Sequence, residues 1–99
     1  MIKHYILEDG KPKDVPLLEW GKWMEANSRR VEFTKIGKVE ISTVFLGLDH
    51  SFGHGKAILF ESMIFGGKYN GCSNRYETVE QAKKGHATAV KKVKQGGAE

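Results

Sequence analysis

Apolar and polar positions alternate most regularly in two stretches, VEISTVFLGL (Val39–Leu48) and AILFESMIF (Ala57–Phe65). A period of two is the signature of a strand, and both stretches are rich in the β-branched and aromatic residues that suit a pleated surface. In the first, Val39, Ile41, Thr43 and Phe45 share one face, and Glu40, Ser42, Val44 and Leu46 share the other. In the second, Ile58, Phe60, Ser62 and Ile64 alternate with Ala57, Leu59, Glu61, Met63 and Phe65. Both faces are apolar over part of their length, which predicts central strands covered on both sides. Helices on one face and a second subunit on the other would supply that cover. The two strands are expected to be antiparallel neighbours. The connector DHSFGHG is too long for a tight hairpin turn, and its Gly53 and Gly55 permit close approach of a ligand or another backbone.

The rest of the chain falls into line around this pair. Ile2–Leu7 (IKHYIL) reads as a short strand, followed by turn chemistry in EDGKPKD around Gly10 and Pro12. Asp14 is the expected N-cap of a helix from Val15 to about Asn27, with Pro16 in its first turn. Leu17, Trp20, Gly21 and Met24 form its apolar stripe, and Trp23, one step off, widens the buried face. VEFTKIGKVEIS predicts a hairpin turning at Gly37, and KYNGCSNRYE predicts another turn at Asn70-Gly71 and a short strand into Tyr76. Thr78 and Gln81 have capping-box spacing ahead of a last helix. Its stripe is Val79, Ala82, His86, Ala89, Val90 and Val93, and Gly85 is expected to let it approach the sheet closely. The predicted class is α+β: one small domain over residues 1–94, with an antiparallel sheet of about 4–5 strands packed with two helices, in the order β-α-β-β-β-β-α. Residues 95–99 are expected to fray. Ile41, Phe45, Phe60, Ile64, Leu17, Trp20 and Val90 are the expected core.

Ninety-nine residues suffice for one modest core. No run approaches the roughly 20 apolar residues of a membrane span, and no signal peptide is expected at the N-terminus. The single cysteine, Cys72, excludes an internal disulfide and fits a reducing cytoplasm. The net charge of +4 is unevenly placed. Residues 1–50 carry eight basic and eight acidic side chains, whereas residues 51–99 carry eight and four. The excess lies mostly at Lys83, Lys84, Lys91, Lys92 and Lys94 and favours an anionic partner. Duplex DNA is disfavoured, because the excess is small and no helix-turn-helix pattern is present.

Chemistry-bearing residues gather in the connector. Asp49, His50, Phe52, His54 and Lys56 are the candidate ligand contacts, with Arg29, Arg30 and Arg75 as cationic support. Glycines let backbone N–H groups point at phosphate oxygens, a lysine or arginine neutralises charge, and an aromatic ring stacks on a base. Tyr69 and Tyr76 are further ring candidates. The spacing matches no metal, dinucleotide or P-loop motif, so neither a metal nor a cofactor is expected. Nor does any catalytic set stand out around Cys72, His86 or Glu61. The expected partner of Glu61 is Arg75 or a lysine.

Three stretches together resemble a known family. STVFLGLDHSFGHG (Ser42–Gly55), LFESMIFGG (Leu59–Gly67) and RYETVEQAKKGHATAV (Arg75–Val90) are similar to a pattern in small proteins of bacteriophages and prophages. That pattern runs roughly STVFLGLDH-x-FG-x-G, LFE-x-M-x-FGG and RY-x-T-x-x-x-A-x-x-GH. The similarity extends from about Arg29 to Val90, and departs from the pattern at Lys56-Ala57, where a proline-containing segment is usual. It implies an accessory phage protein of the host-cell cytoplasm, of a size that often counters host immunity, one strategy being to sequester a nucleotide second messenger. The leading expectation is therefore a non-enzymatic homo-oligomer, a dimer or higher, that binds a small anionic nucleotide-derived ligand. The alternatives are a protein-binding inhibitor of a host defence or nucleic-acid-processing complex, and a small hydrolase using Asp49, His50 and His54.

Overall fold

A computed structural model describes residues 3–96. The chain forms β1 (Tyr5–Glu8), β2 (Lys11–Asp14), α1 (Leu17–Ala26), β3 (Arg30–Ile36), β4 (Val39–Phe45), β5 (Phe60–Phe65), β6 (Ser73–Tyr76) and α2 (Val79–Gly96). The class is α+β, and the order is the expected one with its first strand doubled into a hairpin. That doubling corrects the reading of Lys11–Asp14 as turn. Asp9 and Gly10 both take positive φ (52° and 77°), the geometry of a two-residue hairpin turn whose twist suits the strands it joins. Pro12 is tolerated because a two-stranded ribbon gives each strand an outward edge, where a missing N–H costs nothing. With Asp14 in β2, the N-cap of α1 is Pro16.

The main sheet is a meander, β3-β4-β5-β6, antiparallel throughout. β4 and β5 are neighbours as expected, with Ile41 opposite Ile64 and Phe45 opposite Phe60. Pairing persists past the ends of both strands, since Leu46 N–H donates to Leu59 O at 2.7 Å. β3 and β4 turn at Gly37, also as expected. The β1–β2 ribbon docks on the segment leaving β4, through Tyr5 N–H to Gly47 O at 2.8 Å.

One face of the sheet makes the core. Val39, Ile41, Thr43 and Phe45 of β4 and Phe60, Ser62 and Ile64 of β5 are buried beneath Ala82, His86 and Val93 of α2. The capping box starts that helix as predicted. Gln81 N–H donates to Thr78 Oγ1 at 3.1 Å, while Gln81 Oε1 accepts from Glu77 and Thr78 N–H. The helix continues through Gln95 and Gly96, which were expected to fray, and residues 97–99 lie outside those described. Helix α1 reaches the same face from one end. Trp23 meets Phe45 edge-on at 5.7 Å between ring centroids, and Trp20 Nε1–H donates to Gly47 O at 3.1 Å. Of the expected core residues, Leu17 is instead 61% exposed: α1 begins at Leu17, two residues later than expected, and packs through Trp20 and Trp23 rather than through its first turn. Trp20 and Val90 are half-buried.

The opposite face carries Phe33, Lys35, Glu40, Ser42, Val44, Glu61, Met63, Phe65 and Arg75, half-buried or exposed. Register sets Arg30, Val44, Glu61 and Arg75 in one row across it, and Phe33, Ser42, Met63 and Ser73 in the next. Among the described residues, no helix is long and apolar enough to cross a membrane.

Phe60 is fully buried against Phe45 at 5.4 Å between ring centroids. Phe60→Ala is expected to cost about 3–5 kcal/mol in urea denaturation, the range for deleting a core aromatic ring. A loss under about 1 kcal/mol would contradict that packing.

Candidate functional site

The connector between β4 and β5 holds five of the expected site residues, and its own architecture occupies the most reactive of them. Asp49 Oδ1 accepts from Ser51 N–H at 2.8 Å and Ile58 N–H at 3.0 Å, so this carboxylate clasps the two ends of the loop. Desolvation raises its pKa, but those hydrogen bonds and the neighbouring His50 outweigh it and hold the carboxyl below its ordinary value. His50 N–H donates to Ile58 O at 3.0 Å, and its ring lies 6.2 Å from that of Phe52. Phe52 is 67% exposed in a left-handed conformation (φ 53°), an unusual place for an aromatic residue. His54 and Lys56 are exposed.

The three arginines are not gathered around this loop. Arg29 is exposed, and its carbonyl accepts from Phe45 N–H at 2.7 Å. The Arg30 guanidinium stacks over Phe33 at 4.3 Å from the ring centroid. Arg75 Nε pairs with Glu61 Oε2 at 3.0 Å, the structural pairing anticipated for that carboxylate. Arg30 and Arg75 thus share the open sheet face, each already engaged. Among the described residues, no three His, Cys, Asp or Glu side chains converge as a metal site would require.

A cavity of about 270 Å³ lies elsewhere, between α2 and the edge strand β6. Its floor is Ser62 and Ile64 of β5. Cys72, Asn74 and Tyr76 line one wall, alternate residues pointing to one face. The other wall is Gly85, Thr88, Ala89 and Lys92, a stripe at i, i+3, i+4 and i+7 beside the core stripe of α2. Three of these four side chains are small, so the helix overhangs β6 without filling the space beneath. Gly85 is decisive, since a Cβ there would land on the phenol oxygen of Tyr76. Lys92 also connects the cavity to Tyr69, its Nζ standing 4.2 Å from the ring centroid, with Lys68 Nζ at 5.5 Å from the same ring. This end of the domain therefore concentrates cations.

Behind the floor runs a chain of polar groups, buried at Ser62, Thr43 and His86. Ser62 Oγ lies 2.6 Å from Thr43 Oγ1, which lies 2.7 Å from His86 Nδ1. His86 Nε2 lies 2.8 Å from Thr34 Oγ1 and 3.8 Å from Glu32 Oε2. Both ring nitrogens of His86 are thus hydrogen-bonded. Desolvation holds its pKa below the ordinary value, partly offset by the charge of Glu32, so the ring is neutral at pH 7.

The expected site residues cluster on the loop and the open face, and none of them lines this cavity. Tyr76 was expected as an aromatic candidate, Gly85 as a point of close approach to the sheet and Lys92 as part of the excess charge, but nothing in the sequence joins them. A signal was present in the small-residue stripe Gly85–Thr88–Ala89–Lys92, but it abuts the core stripe and reads as its margin. No family model, curated protein or solved structure matches the chain.

Two measurements check this geometry. Because His86 binds its proton less readily when folded, stability is full above the unfolded imidazole pKa of about 6.5 and falls as pH drops through it. The denaturation midpoint should therefore decline between about pH 7 and 5, ahead of the loss from Asp49 below about pH 4. A midpoint that rose over the upper window would mean a charged His86 paired with Glu32. Gly85→Ala, which would stabilise an unencumbered helix, should here cost about 1–3 kcal/mol, because Tyr76 must give way. A gain in stability would place Tyr76 away from the helix.

Proposed function

We propose that this chain is a non-enzymatic binding protein that holds a small anionic, nucleotide-derived ligand in the cavity between α2 and β6. The observation that carries the reading is the composition of that one cavity. An apolar floor at Ile64, an aromatic ring at Tyr76, polar groups at Ser62, Asn74 and Thr88, and a cation at Lys92 surround a single space. Binding sites for small molecules are built this way, mostly apolar with a few polar groups that fix orientation, and this volume is at the small end of their range. The lysines of the second half of the chain and the net charge of +4 favour an anion.

Holding rather than turning over the ligand fits the chemistry of the walls. Ser62 reaches His86 only through Thr43, so no base touches the hydroxyl directly. Cys72 has no His, Asp or Glu beside it among the cavity-lining residues. The similarity to phage accessory proteins supplies a setting in which such binding acts by withdrawing a host immune signal. The open face of the sheet supports the second part of the reading, a two-fold dimer. Val44, Met63, Phe33 and Phe65 line it, and both helices lie elsewhere. Sedimentation should give twice the 11.1 kDa chain mass, and a species near that mass would exclude the dimer.

The binding claim is tested by titrating the protein with a panel of purine and pyrimidine mononucleotides and recovering the bound molecule after denaturation. Recovery of the intact nucleotide is expected, and a cleaved product would establish the hydrolase instead. Lys92→Glu should weaken binding by roughly ten-fold or more, as loss of a charge-assisted contact does, with the circular dichroism spectrum unchanged. Lys56→Glu with Phe52→Ala serves as the contrast. If that pair abolishes binding and Lys92→Glu does not, the ligand sits at the connector.

A further inference from the structure

We infer that the inner wall of this cavity is a hydrogen-bond acceptor surface, so that its ligand enters with N–H donors foremost and its anionic end toward Lys92. The inference rests on the binding role proposed above, and it follows from where each hydroxyl proton can go.

Glu32 and Thr34 both face His86 Nε2, at 3.8 Å and 2.8 Å. A carboxylate beside a ring nitrogen favours the tautomer that carries a proton there, since the alternative sets a negative charge against a lone pair. With the proton on Nε2, that N–H is donated to Thr34 Oγ1, and Nδ1 is left as an acceptor. Thr43 must then donate its one hydroxyl proton to Nδ1 across 2.7 Å. Having given that proton away, Thr43 can only accept from Ser62, 2.6 Å distant. The hydroxyl proton of Ser62 therefore points into the core, and what remains for the cavity is a lone pair.

Thr88 arrives at the same polarity independently. Its hydroxyl donates to the carbonyl of Lys84 at 3.0 Å, one turn back along α2, and its free lone pair is again an acceptor. Two cavity hydroxyls, one on the floor and one on the helix wall, thus offer acceptors only. A planar group with N–H donors on one edge, as in the N1–H and N2–H₂ of guanine, satisfies such a wall. A carbonyl edge would set lone pairs against lone pairs and leave the Ser62 acceptor buried and unpaired.

The direction of the proton chain can be read without any ligand. In protein labelled with ¹⁵N-histidine, long-range ¹H–¹⁵N correlation at neutral pH should find the His86 proton on Nε2. A proton on Nδ1 would reverse the chain, make Ser62 a donor and overturn the inference. The ligand side is tested with GMP and IMP, which differ by the N2 amine. GMP should bind about ten-fold more tightly, and the gap should shrink in Ser62→Ala. Thr88→Ala, at an exposed helix position, asks the same question if Ser62→Ala fails to fold. Equal affinities, or tighter binding of IMP, would overturn the inference. If neither nucleotide binds while His86 carries its proton on Nε2, the nucleotide reading falls and the polarity of the wall stands.

Discussion

A chain of hydrogen bonds crosses the interface between helix and sheet, and it takes one side chain from each of four elements: Thr34 from β3, Thr43 from β4, Ser62 from β5 and His86 from α2. Thr43, Ser62 and His86 are buried and Thr34 half-buried, and burying polar side chains is costly unless each is paired. Here all four are paired with one another, and the arrangement has a second effect. An apolar interface tolerates small slips, whereas this one holds together only if Thr34, Thr43 and Ser62 all face the helix on adjacent strands. A one-residue shift of β3 or β5 would turn its member to the opposite face and orphan the rest. The register that sets Thr34 beside Ile41 and Thr43 beside Ser62 is thereby fixed by polar groups, while two apolar clusters, Val39, Ile41, Ile64 and Val93 and then Phe45, Leu59, Phe60 and Ala82, supply the burial.

That division of labour explains what could be read in the sequence. The alternation in β4 and β5, the turn at Gly37 and the Thr78–Gln81 capping box are local patterns with local causes, and each forms as expected. The hairpin return of Lys11–Asp14 was not legible, because Lys-Pro-Lys-Asp has no apolar face and pairs only because Asp9-Gly10 turns the chain back. Leu17 misled for a related reason. Helical spacing ranks it with Trp20, but it is the first residue of α1, and the first turn is exposed at both Leu17 and Leu18. The cavity was harder still. Its walls come from residues 62 to 92, and nothing in a linear pattern says that Gly85 stands over Tyr76.

The connector poses the converse problem. DHSFGHG has the composition of a binding loop, yet Asp49 faces inward to hold the loop's own N–H groups, and Arg75 and Arg30 are engaged on the open face. Residue types of high chemical potential are as useful for fastening an irregular segment as for meeting a ligand. Composition cannot separate the two uses, whereas hydrogen-bond partners can.

Gly85 gives the cavity an unusual origin. Most cavities are defined by the side chains that line them, but this one exists because a side chain is missing where the helix passes over Tyr76. Any larger residue there would push the phenol toward the vacant space or lift the helix from β6. The position therefore couples two traits that commonly vary separately, the closeness of helix to sheet and the openness of the pocket beside it. Descendants of this chain that drifted at Gly85 would have to change both at once, so the character of the cavity has an easier route to change through Asn74, Thr88 and Lys92 at the margins.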